Sequence, residues 1–186
     1  VIDHCTSVAH RLGLTSARFT CSPISAVVPE EATVVLALHA CNTATDDAIE
    51  CALACNAERM YIAPCCHHAV QQQLSKSTVP EWARPLLDDG ITLERLGDLL
   101  TDTMRRDALR ACGYDAHLEE FIALEHTQKN ILLRAVRTSM PAQDRARWAQ
   151  RVQAYAAAWG LSPRSLGLVV DRSGGADEVD LGKVLS

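Results

Sequence analysis

No stretch of the 186-residue sequence approaches the roughly 20 consecutive apolar residues that cross a bilayer. No charged segment leads into a short apolar one at its start. The pattern therefore predicts no membrane partner and a cytoplasmic setting. Positive charge is also short: 18 Lys and Arg stand against 23 Asp and Glu, for a formal net charge of −5 and a pI near 5.8. That balance argues against broad, charge-driven binding of nucleic acid and leaves room only for a local basic patch. Internal repeats are absent, and only "DRSGGADEVD" near the end reads as a low-order loop.

Apolar residues, at 48% of the chain, suffice for one domain with a real core. The eight cysteines lie inside expected helices and strands (Cys5, Cys51, Cys55, Cys112) or at strand ends (Cys21, Cys41, Cys65, Cys66). Reduced thiols are the expectation, since disulfide frameworks belong to small secreted domains.

Hydrophobic spacing gives alternating elements. "VIDHCTSVAHRLGL" places Ile2, Cys5, Val8, Ala9 and Leu12 on one helical face and closes with Gly13. "ARFTC" (17–21) reads as a short strand, followed by a connection with at most a turn of helix. "TVVLALHA" (33–40) is a continuous β-branched, apolar run, as in a parallel strand covered on both faces. Thr43 or Thr45 is expected to cap a helix running through Cys55, with Asp46 and Asp47 in its first turn. "RMYIAPC" (59–65) is a second buried strand, and "HHAVQQQL" a helix. "TLERLGDLLTDTMRRDALRACG" (92–113) has the pattern of a long amphipathic helix. "YDAHLEEFIAL" and "NILLRAVRT" form the simplest antiparallel pair. A last helix, from Ser139 to Gly160, carries Trp148, Val152, Tyr155 and Trp159 along one stripe. The order is that of the second half of a doubly wound α/β sheet with an antiparallel last strand.

Ligand sites in such sheets gather in the crevice at the C-terminal strand ends. His39, Cys41 and Asn42 follow one strand there, and Cys65, Cys66, His67 and His68 follow the next. Two chemistries meet this layout. Thiolate and imidazole ligands from both ends would build a zinc site. Against it, Cys65 and Cys66 are adjacent, and adjacent residues leaving a strand tend to point opposite ways, so no metal is expected. The alternative is that Cys41 and Cys65 are small, tightly packing side chains.

"LHACNTATDDAI", "PCCHH" and "EHTQKNILLRAVR", in this order, resemble the signature segments of a family of class I S-adenosylmethionine-dependent methyltransferases. This is the group containing the methyltransferase domain of the glutathione S-transferase C-terminal-domain-containing protein. The first two segments also resemble those of tRNA 2′-O-methyltransferases of the Trm thirteen type. The resemblance covers roughly residues 1–138 and implies the C-terminal half of a Rossmann-like doubly wound methyltransferase sheet, with residues 139–186 as a helical extension and tail.

The same resemblance implies S-adenosyl-L-methionine as cofactor. It places Cys21, Ser22, Pro23 and Ile24, with His39 and Ala40, beside the cofactor. His39, Cys41, Asn42 and Asp46 are implied as catalytic, and Thr43, Pro64, Cys65, Cys66, His67 and His68 as lining the acceptor. His39, Asp46 or His67 would take the acceptor's proton. The acceptor is unknown, with RNA as the alternative and a non-enzymatic zinc or interaction module as the second. One feature departs from the family: no G-x-G pattern occurs, so the loop that holds the methionine part is missing. Cys41-Asn42 also stands where the family more usually has glycine or aspartate after the cysteine. The expectation is a part of a longer methyltransferase, inactive alone, whose uncovered sheet flank self-associates.

Overall fold

The computed structural model describes residues 1–27, 31–38, 40–123 and 129–161. His39 and the tail expected to be low in order lie outside the described residues, as does most of "EHTQKN". In chain order the elements are α1 (Ile2–Arg11), β1 (Val34–Leu38), α2 (Thr43–Ala54), β2 (Arg59–Ala63), α3 (His68–Gln71), α4 (Gly90–Ala111), β3 (Tyr114–Glu120), β4 (Ile131–Arg137) and α5 (Ala142–Trp159). Short 3-10 turns at Ile24–Ala26 and Glu81–Leu87 complete the set.

The strands form one sheet in the order β1-β2-β4-β3. β1 and β2 run parallel, with Leu36 opposite Tyr61, as a helix-linked pair of strands must. β4 is antiparallel to both its neighbours, pairing Ile62 with Leu133 and Ala116 with Ala135. Parallel β1 and β2 therefore end at the same edge of the sheet, and β4 begins there.

Alternation along the strands shows which face is covered. Ala37, Met60, Ile62, Leu133, Ala135 and Ala116 are buried and lie across from one another in register. α2 leans on β1 and β2, while α4 leans on β3 and β4 and carries α5 on its other side. The core is continuous from Ile49 and Ala52 of α2 through Leu100, Met104 and Leu109 of α4 to Val152, Ala156 and Trp159 of α5. α5 thus belongs to the same core as the sheet.

Aromatic contacts help seat α5. Trp82 meets Trp159 edge-on, with ring centroids 5.8 Å apart. Two guanidinium groups lie over the Trp148 ring, Arg110 at 4.7 Å and Arg151 at 5.1 Å from its centroid. Gly160 ends the helix at φ +65°, and a β-carbon there would come within 2.4 Å of Thr78 Cβ, so only glycine fits this stop.

Three sequence expectations change. "ARFTC" is not a strand: residues 17–21 are exposed and pair with no strand among the described residues, and an unpaired strand has nothing to hold its backbone. "TVVLALHA" is not covered on both faces: Val34, Leu36 and Leu38 are 42, 67 and 63% exposed, because β1 is an edge strand and the helices that contact the sheet share one face. Neither Thr43 nor Thr45 caps α2, since Asn42 occupies the cap position without a side-chain bond to the helix. The Thr45 hydroxyl instead donates to the Ala40 carbonyl.

Candidate functional site

The common edge of β1, β2 and β4 brings Ala40 to Asn42, Pro64 to His68 and Lys129 together. Asn42 ties the first two segments. Its backbone N–H donates to the Cys66 carbonyl at 3.2 Å, and its side-chain oxygen accepts from the Ala69 N–H at 3.0 Å. This is done at φ +53°, a left-handed backbone that asparagine tolerates better than most residues. The resemblance implies Asn42 as catalytic, and in the structure its side-chain oxygen is committed to Ala69. Asn42→Ala should therefore cost about 1–2 kcal/mol, since it strands the Ala69 N–H. Urea unfolding at neutral pH measures this, and an unchanged midpoint would refute it.

Behind that tie runs a buried polar network. Arg105, on α4, is 1% exposed. Its Nε donates to Asp46 Oδ1 at 2.8 Å and its Nη2 to Asp46 Oδ2 at 3.0 Å, a two-point clamp. Nη2 also reaches the Asn42 carbonyl at 3.1 Å, and Nη1 lies 3.4 Å from Asp102 Oδ1. His67 Nε2 donates to the same Asp102 oxygen at 2.8 Å. On its other side Nδ1 lies 2.8 Å from Asp98 Oδ1, an ion pair outside hydrogen-bond alignment. Lys129 joins Asp98 and, at 3.3 Å, Glu94. The charges alternate from α2, through α4 and the β2 end, to the start of β4.

The network sets its own protonation. Burial pulls the His67 pKa down, but Asp102 and Asp98 outweigh it and hold the imidazole above its ordinary value. Burial pushes Asp98 up, and His67 with Lys129 reverses this, leaving it below the usual carboxylate range. Asp46 goes the other way: burial wins over the Arg105 clamp and raises it. Asp98 also lines a cavity of about 230 Å³ with Ile91, Glu94, Arg95 and Lys129.

Each residue singled out from sequence has a distinct setting. Cys21, Ser22 and Pro23 are exposed, while Ile24 packs on the core in the turn that rests against α2. Ala40 is half-buried and Thr43 exposed. Asp46 is buried with both oxygens held by Arg105. Pro64 is buried, His67 is enclosed between two carboxylates, and His68 is exposed, with its Nδ1 3.3 Å from Gln71 Oε1. Arg105, Asp98, Asp102 and Lys129 were missed, although "DLLTDTMR" spaces Asp98, Asp102 and Arg105 at i, i+4 and i+7, one helical face.

The adjacent cysteines do not diverge as expected. The sulfurs of Cys41, Cys65 and Cys66 all lie within 4.8 Å of one another, and Cys41 Sγ is 2.7 Å from Cys65 Sγ. β2 ends at Ala63, so strand alternation no longer governs residues 65 and 66. Burial and then the neighbouring Cys41 and Cys66 thiols push Cys65 up to about 12.

Residues 1–73 match the family model of a methyltransferase domain. The match runs from α1 past α3 and takes in both strand ends, Asn42 and His67, whereas α4, the β3–β4 pair and α5 lie beyond it. No curated protein and no solved structure matches the chain.

Proposed function

We propose that this chain forms the acceptor-side part of an S-adenosyl-L-methionine-dependent methyltransferase, of the group that "LHACNTATDDAI" and "PCCHH" resemble. The match of residues 1–73 to a methyltransferase domain carries the reading. The sheet order supports it, with an antiparallel strand inserted beside two parallel ones, as the resemblance leads one to expect.

The fit to the cofactor is partial. Cys21 to Ile24, with Ala40, offer small or apolar side chains for its adenosine side, but no glycine-rich loop is present for the methionine part. When bound, the cofactor supplies an electrophilic methyl group on a sulfonium. The work left to the chain is to hold an acceptor in line and to accept its proton. Asp46 and His67 are engaged with Arg105 and with Asp98 and Asp102, so we assign them to holding the wall of the site. His39 is left as the proton acceptor. The net charge of −5 gives no broad attraction for phosphates, which favours a small or neutral acceptor over RNA. The likeness of residues 64–68 to the tRNA enzymes is what supports RNA.

S-adenosylhomocysteine at millimolar concentration should shift backbone amide resonances at Cys21–Ile24 and Ala40–Asn42, with affinity too weak for micromolar calorimetry. No shifts, or shifts only at other elements, would overturn this reading.

A further inference from the structure

We propose that Cys41, Cys65 and Cys66 form a binding site for a thiophilic d10 cation, zinc in the first instance, with three protein sulfurs as ligands and a fourth position open. The sulfurs already converge to within 4.8 Å of one another. Tetrahedral zinc–thiolate bonds of about 2.3 Å place sulfurs about 3.8 Å apart, inside that span. Cys41 and Cys65, at 2.7 Å, need to part by about an ångström to admit the ion. Cys41 is exposed, so its side chain has room to turn without disturbing the core.

Two features make the cluster more than packing. A cysteine acting as a small hydrophobe turns its sulfur into the core. The exposed Cys41 instead aims its sulfur at Cys65 across the gap between the strand ends. The scaffold is also fixed in advance: Leu38 pairs with Ala63 in the parallel register, and Asn42 bonds both Cys66 and Ala69. The three ligands thus need little ordering on binding. Soft thiolates select zinc or copper(I) over magnesium or calcium, and three protein ligands leave room for one exogenous donor.

The test uses the whole chain, stripped of metal and kept under a phosphine reductant, titrated with Co²⁺ and then Zn²⁺. One Co²⁺ per chain should give the thiolate-to-cobalt charge-transfer absorption and the visible bands of a tetrahedral site, both abolished by Zn²⁺. Competition against a chromophoric chelator should show Cys41→Ser and Cys66→Ser weakening zinc by more than about tenfold. Cys5→Ser, on α1, should change nothing, and circular dichroism should show each variant folded. Three results would overturn the site: no charge-transfer band at equimolar Co²⁺, a band that survives both Cys41→Ser and Cys66→Ser, or a Cys41–Cys65 disulfide that persists under reductant and blocks the ion. The readout needs neither cofactor nor turnover, so its outcome is independent of methyl transfer.

Discussion

Arg105→Ala should destabilise the chain by about 3–5 kcal/mol, the cost of leaving buried charge without its partner. The guanidinium is 1% exposed and serves Asp46 at both oxygens, Asp102 and the Asn42 carbonyl. Its loss strands Asp46, which is 3% exposed, and leaves Asp102, 5% exposed, to His67 alone. Arg105→Lys should recover only part of the loss, because an ammonium cannot match the two-point clamp. Asp46→Asn sharpens the point. Asparagine would cap a helix as well as aspartate, so a capping role predicts little change. The clamp predicts a clear loss of stability. Urea midpoints decide between them, and an Arg105→Ala chain within 1 kcal/mol of the parent would mean that water or rearrangement satisfies Asp46 and Asp102.

His67 should make the chain less stable as pH rises through the neutral range. Its folded pKa is raised above the ordinary 6.5 because the imidazolium is held between Asp102 and Asp98. A raised pKa means that the folded state keeps the proton longer than the unfolded chain. The stabilisation is therefore complete below about pH 6.5 and disappears as pH climbs through the raised value. Asp98 is lowered away from this window and Cys65 is pushed above it, while the raised Asp46 carboxyl would add a slope of the same sign, so the His67 share is the part that its substitution removes. His67→Gln should lower stability at pH 6 by about 2–4 kcal/mol and flatten the dependence between pH 6 and 8.5. A parent chain whose unfolding midpoint holds steady across that range would remove the imidazolium from the account.

The periodicities that form local elements were plain in the sequence. Apolar runs at 33–40 and 59–65 gave β1 and β2, the 3.6-residue pattern gave α4 and α5, and the antiparallel β3–β4 pair followed from two short runs joined by a polar turn. What stayed hidden depends on neighbours in space. The run Val34–Leu38 is as apolar as a covered strand, and nothing in it says that it lies at the sheet edge. "ARFTC" has the composition of a strand but no partner to pair with. The amphipathic pattern of α4 does not show that Asp102 and Arg105 turn inward, where Asp46 and His67, 59 and 35 residues away along the chain, meet them. The thiol cluster was obscured for another reason: alternation was applied two residues past the point where the strand stops.

The placement of the tryptophans gives the molecule a built-in optical reporter. All three, Trp82, Trp148 and Trp159, sit on or against α5, and the strands carry none. Intrinsic emission therefore registers the seating of α5 on α4, whereas far-ultraviolet ellipticity registers every helix and strand at once. If α5 leaves before the sheet comes apart, the fluorescence transition will precede the ellipticity transition. If the shared core through Val152, Ala156 and Trp159 binds them into one cooperative unit, the two curves will superimpose.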